Sequence, residues 1–182
     1  MLVGELYDPL DPQLCWERQR CRLLCQRLNE FPTGGSEAYL QILHELFLYR
    51  TDAWIKPPFF CDYGTNIAFG TNVVVGDNCV VLDSAPVFIG DNVRFEPSVQ
   101  IHTATHPVDP AGHRQWLEAA EPIIIGSDVR IGRGAIICPG VTIGEGSVIG
   151  EGSYVTKSIP PGVIAKGNPC TVVRELVEIH GG

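Results

Sequence analysis

Three of the five histidines, His102, His106 and His113, fall in the stretch QIHTATHPVDPAGHRQ at residues 100–115. Histidines this close support two kinds of chemistry. One neutral imidazole, with an unperturbed pKa of about 6.5, can take the proton of a hydroxyl as that hydroxyl attacks a carbonyl carbon. Three imidazoles converging on one point can hold zinc and leave a fourth position for water. The spacing argues against the zinc site, because His102 and His106 stand four apart on an extended chain and His113 lies further out in a loop. Two acids of the same segment, Asp109 and Glu118, are candidates to fix the tautomer of a catalytic imidazole.

The elements that must position these groups follow from a beat of six residues. The apolar leads are Phe69, Val75, Val81, Ile89, Phe95 and Ile101, then Ile125, Ile131, Ile137, Ile143, Ile149 and Val155, with one two-residue slip before Ile89. A six-residue period is the mark of a parallel β-helix: each six supplies one short strand and one bend, and each lead points inward onto the residue one coil away. Twelve sixes make about four coils, with partial ones around CDYGTNIA. Between Ile101 and Ile125 the beat is lost, and HPVDPAGHRQWLEAAEPI reads as an excursion from the solenoid, beginning at His106. Pro160 and Pro161 are expected to end the solenoid and turn the chain back along it.

Three segments result: 1–57, 58–165 with a flap at 106–122, and a tail at 166–182. In the first, Leu14, Cys21, Leu24, Cys25 and Leu28 share a helical face. Ser36 can cap a second helix with Tyr39, Leu40, Leu43 and Phe47 on one side. Helices this short need a surface to lie on.

Composition narrows the function. A net charge of −8 argues against a nucleic-acid partner. No run of eighteen apolar residues suggests a membrane span, and no secretory signal is expected at the N-terminus. The seven cysteines are odd in number and lack C-x-x-C spacing, so they read as small buried hydrophobes in a reducing cytoplasm. Glycine-rich IGEG and IGRG fall at coil corners rather than in phosphate loops.

GELYDPLDPQL at the start, CDYGTNI at 61–67, HTATHPVDP at 102–110 and NPCTVVREL at 168–176 resemble the maltose and galactoside O-acetyltransferases, and the likeness covers nearly the whole chain. That resemblance implies a left-handed parallel β-helix, assembled as a homotrimer with acetyl-CoA in clefts between subunits and no metal. It assigns the general base to the histidine of the HP step, His106, and a flap role to Glu118. Binding of a small-molecule acceptor falls on Asp11 (or Asp8), Asp62, Asp83, Ser84 and Glu118. Contacts to acetyl-CoA fall on Arg133, Glu151, Thr156, Lys157, Thr171 and Arg174, with Glu151 serving through its backbone. A local cationic excess near the C-terminus suits a polyanionic cofactor.

The chain departs from that pattern at Gly76, where the family has an asparagine that contacts the reacting centre. Other readings therefore stay open: the same fold acting on an amine or another acceptor, a zinc-dependent β-helix of the carbonic anhydrase kind, or a scaffold without activity.

Overall fold

The computed structural model describes residues 5–31, 34–107 and 116–176. Helix α1 (Pro12–Asn29) starts where the Asp11 carboxylate accepts the amides of Gln13 and Leu14, with Pro12 in the first turn. It buries Cys21, Leu24, Cys25 and Leu28. Helix α2 (Glu37–Phe47) is capped by Ser36 and buries Tyr39, Ile42, Leu43, Leu46 and Phe47. Leu40, expected on that face, is 48% exposed. The buried set follows the 3.6-residue period, and Leu40 lies about a quarter of a turn from its centre.

Five coils follow. The first is β1 (Trp54–Ile55), β2 (Phe59–Cys61) and β3 (Ile67–Phe69), and the second is β4 (Val74–Val75), β5 (Cys79–Leu82) and β6 (Val87–Ile89). The third runs through β7 (Arg94–Phe95) and β8 (Gln100–His102). It leaves the solenoid at β9 (Ala104–Thr105), returns through β10 (Ala119–Ala120), and closes with β11 (Ile123–Ile125). The fourth is β12 (Arg130–Ile131), β13 (Ile136–Ile137) and β14 (Thr142–Ile143). The fifth is β15 (Val148–Ile149), β16 (Tyr154–Val155) and an isolated bridge from Ile159 to Ile143.

Equivalent strands pair in parallel to make three faces: β1-β4-β7-β12-β15, β2-β5-β8-β13-β16 and β3-β6-β11-β14. Every predicted lead residue is buried except Phe69, which is half-buried and packs edge-on against Phe47 of α2 at 5.1 Å. The helices thus close the top of the solenoid, covering apolar surface that a bare first coil would expose.

Two boundaries differ from expectation. The first face begins at Trp54, inside the segment assigned to helices. At the other end, β17 (Val163–Lys166) continues the first face in parallel with β15, past Pro160 and Pro161. Those prolines occupy a corner, where the coil-to-coil bonds are made by Ile159 N–H to Thr142 O and Gly162 N–H to Glu145 O, so proline's missing donor costs nothing. The reversal comes later, where β18 (Thr171–Glu175) folds antiparallel onto β17.

The corners hold their shape through side chains as well. Asn72, Asn92 and Asp128 lie in the left-handed region, which asparagine and aspartate tolerate, and they form a ladder: Asn72 Nδ2 to Asn92 Oδ1 at 2.9 Å and Asn92 Nδ2 to Asp128 Oδ1 at 3.0 Å.

Candidate active site

The corner between the second and third faces gathers the candidate chemistry. In the second coil it contains the two-residue slip, now seen to be Asp83 and Ser84, both buried. Asp83 Oδ1 accepts the amides of Asp62 (3.0 Å) and Tyr63 (2.9 Å), and Oδ2 accepts that of Asn66 (3.3 Å). Asn66 Nδ2 returns a bond to the Asp83 carbonyl at 2.7 Å. Burial raises the Asp83 pKa to about 6, against the pull of the amides. The assignment of Asp83 to acceptor binding is therefore corrected: its oxygens are committed to backbone, and it shapes the corner that presents Asp62 and Tyr63.

Asp62, Tyr63, Ser84 and Glu118 line a cavity of about 360 Å³ together with Pro9, Leu10, Arg18 and Trp116. An adjoining cavity of similar size is lined by His106, Pro107, Leu117, Trp116, Glu118 and Pro9. Glu118 belongs to both. Its Oε1 lies 3.9 Å from Nδ1 of His106, whose side chain is 65% exposed. Its Oε2 accepts the Tyr7 hydroxyl at 2.8 Å. The backbones of Tyr7 and Glu118 exchange two hydrogen bonds, 2.8 and 3.0 Å, as an antiparallel bridge. The N-terminal segment at Tyr7 thus pins the chain at Glu118, next to the β9–β10 pair.

Burial raises the Asp62 pKa, which Arg18 lowers and Glu118 raises. Arg18 Nη1 donates to the Tyr63 hydroxyl at 2.7 Å, and Nη2 donates to the Pro9 carbonyl. Burial also raises the Tyr7 hydroxyl's pKa. The cavity therefore offers two carboxylates, a guanidinium and two hydroxyls, a set that pairs with the OH groups of a polyol.

Asp11 does not line this cavity; its Oδ1 caps α1. His102 is half-buried, its Nε2 sits 3.1 Å from Gln100 Oε1, and burial lowers its pKa. Asp109, His113 and His180 lie outside the described residues. Tyr7 and Arg18 were missed from the sequence: Tyr7 stood in the GELY motif without a role, and Arg18 lay off the apolar face of α1, which is the direction that takes it to the cavity.

The six residues assigned to acetyl-CoA are all exposed. Arg133 and Glu151 stack one coil apart on the corner between the first and second faces, where Gly152 N–H donates to the Arg133 carbonyl at 2.8 Å. Thr156 and Lys157 lie on the second corner, below the flap. Thr171 opens β18 opposite Lys166, and Arg174 lies opposite Ile164. Arg130, part of the local cationic excess, is held by Glu96 at 2.8 Å.

Gly76 sits on the first corner, and within one chain it does not share the corner of His106. A Cβ there would stand 2.7 Å from Pro97 N and 2.8 Å from Glu96 C. Restoring the family residue as Gly76→Asn is expected to destabilise the fold by about 1–3 kcal/mol, the usual cost of overpacking, without raising turnover. Urea unfolding midpoints and acetyl-transfer rates of the two proteins check this.

A groove of about 820 Å³ lies between α1 and α2 and includes Trp16, Leu23, Arg27 and Glu45. It contains none of the candidate residues. No described helix is long and apolar enough to cross a membrane.

Comparison with known proteins agrees with this architecture. Residues 1–47 match the maltose acetyltransferase hexapeptide capping motif, and residues 122–157 match the bacterial transferase hexapeptide. With a capped hexapeptide solenoid and these matches, the chain belongs to the hexapeptide-repeat acetyltransferases, in the family of the maltose and galactoside O-acetyltransferases. It is 43% identical to nodulation protein L of Rhizobium meliloti over 94% of each chain. The crystal structure of a maltose O-acetyltransferase from Clostridium difficile 630 superposes with a TM-score of 0.93 at 41% identity, over 97% of this chain and 95% of the other. A galactoside acetyltransferase in complex with coenzyme A gives a TM-score of 0.90 at 38% identity, over 97% and 88%.

Proposed function

We propose that this chain moves acetyl from acetyl-CoA to a hydroxyl of a sugar or small glycoside, with His106 as general base, by direct attack in a ternary complex. The observation that carries this reading is the placement of Glu118 between the His106 cavity and the hydrogen-bonding cavity of Asp62, Tyr63 and Ser84. An acceptor held by those groups has a hydroxyl within reach of the imidazole. Nε2 takes the hydroxyl proton as the oxygen attacks the thioester carbon. The C–S bond then breaks, and the thiolate leaves with the proton returned by the imidazolium. Glu118, 3.9 Å from Nδ1, is placed to orient the ring when the pair closes to hydrogen-bond length in the ternary complex, as the acid of a triad does.

A homotrimer completes the reading. His106 and the cofactor candidates Arg133 and Glu151 lie on different corners of one three-sided solenoid, and packing a corner of one copy against the next copy brings them into one cleft. The acetyl-CoA complex belongs to this proposal, as does a cytoplasmic setting that keeps the thiols reduced.

Purified protein incubated with acetyl-CoA and a panel of neutral sugars should release free thiol in step with O-acetylated product. Transfer confined to amino sugars would favour the amine reading. Glu118→Gln is expected to lower kcat by about tenfold or more while the acetyl-CoA KM holds, since it loosens an orienting group rather than the cofactor site. Steady-state kinetics with acetyl-CoA varied at saturating sugar checks the split.

A further inference from the structure

One cluster has no part in that reaction. Cys21 and Cys25, one turn apart on the inner face of α1, meet Cys61 at the end of β2. The Cys61 sulfur lies 3.5 Å from that of Cys21 and 3.8 Å from that of Cys25, and all three sulfurs fall within 4.8 Å of one another. Cys21 and Cys25 are buried, Cys61 is half-buried, and all three are free thiols. Periodicity accounts for Cys21 and Cys25 as core residues, but not for a third sulfur arriving from the solenoid at the same point.

We propose that Cys21, Cys25 and Cys61 form a binding site for a thiophilic d10 cation. Thiolate sulfurs select copper(I) and zinc(II) over hard ions. A metal–sulfur distance of about 2.3 Å sets the sulfurs about 3.8 Å apart in a tetrahedral site and about 4.0 Å apart in a trigonal one. The two separations to Cys61, 3.5 and 3.8 Å, reach those values with shifts of up to about half an ångström, and the Cys21–Cys25 pair falls within 4.8 Å. Among the described residues the group comprises these three ligands. Three sulfurs complete the coordination of copper(I), whereas zinc(II) needs a fourth ligand from solvent.

Binding replaces up to three S–H bonds by metal–sulfur bonds and releases the protons to solvent, including the one that Cys21 gives to the Cys61 carbonyl at 3.2 Å. Because Cys61 precedes Asp62, a bound ion ties α1 to the first coil directly behind the cavity that Asp62 lines. The site is independent of the proposed transfer reaction, and its test reads binding without turnover.

The reduced, metal-free full chain is titrated anaerobically with copper(I) buffered by a chromophoric chelator, and in a second arm with zinc(II). One equivalent bound with a sulfur-to-metal charge-transfer band is expected in at least one arm. X-ray absorption of that wild-type complex should show about three sulfurs at about 2.3 Å. Cys25→Ala and Cys61→Ala should each weaken binding by more than about 100-fold, beyond the 10–100-fold cost of losing an outer-shell partner. Cys15→Ser, at an exposed thiol away from the cluster, should leave binding as it is. Failure of the reduced chain to bind either ion, a coordination shell without sulfur, or equal binding by the Cys25 and Cys61 variants would overturn the proposal.

Discussion

His106→Ala should lose acetyl transfer by about 10²–10⁴-fold in kcat, the usual contribution of a general base, while acetyl-CoA binds as before. In the proposed mechanism the loss belongs to kcat, because there the imidazole acts on the acceptor hydroxyl, whose proton stays in place until the transition state. Its neighbours set the comparison. His102, half-buried beside Gln100, is on the solenoid wall rather than in the His106 cavity, so His102→Ala should not reproduce the loss. Calorimetric titration with acetyl-CoA, alongside rates of thiol release at saturating sugar, separates lost chemistry from lost binding. A variant that turns over at the wild-type rate removes His106 from the mechanism.

The largest effect on stability is expected at Asp83. Asp83→Ala leaves the amides of Asp62, Tyr63 and Asn66 without their acceptor in a buried corner. Each unsatisfied buried donor costs roughly 1–3 kcal/mol, so a loss of about 3 kcal/mol or more is expected. The effect has a pH signature. The folded-state pKa is about 6 against an ordinary 3.8, so the folded chain holds this proton more tightly than the unfolded one. The proton-linked stability is fully present below the ordinary value and is lost as pH rises through about 6. The wild type gains it on acidification and Asp83→Ala cannot, so the gap between their unfolding midpoints should be wider near pH 5 than near pH 8. A gap that narrows on acidification would contradict the burial-driven shift. Asp83→Asn sharpens the test: its amide oxygen can still accept from Asp62 and Tyr63, but its NH₂ group would face the donor of Asn66.

The solenoid was legible because its information is local. A β-helix repeats one residue pattern at one period, and each lead side chain meets its equivalent a coil away, so reading the beat amounts to reading the core. The beat also marked the break between β8 and β11, where β9 and β10 leave and rejoin the solenoid. What was not legible depended on contacts remote in sequence. Asp83 was assigned to acceptor binding by resemblance, yet the slip that inserts it and Ser84 turns its carboxylate inward onto the corner of the coil before. The Tyr7–Glu118 pairing spans 111 residues, and no periodicity links its ends. Asp11 was placed near the acceptor by resemblance, whereas its carboxylate caps α1. The prolines at 160 and 161 misled because a solenoid corner has no need of a donor at those positions.

The departure at Gly76 takes a physical form as well. The neighbouring coil approaches it so closely that the glycine is part of the packing.

The central claim, direct transfer from acetyl-CoA to a sugar hydroxyl with His106 as base, is tested most directly by one matrix of initial rates. Thiol release is measured across a grid of acetyl-CoA and sugar concentrations. Lines that converge in the double-reciprocal plot, with release that vanishes as sugar is withdrawn, are the expected result. Parallel lines, or thiol release that proceeds without sugar, would contradict it.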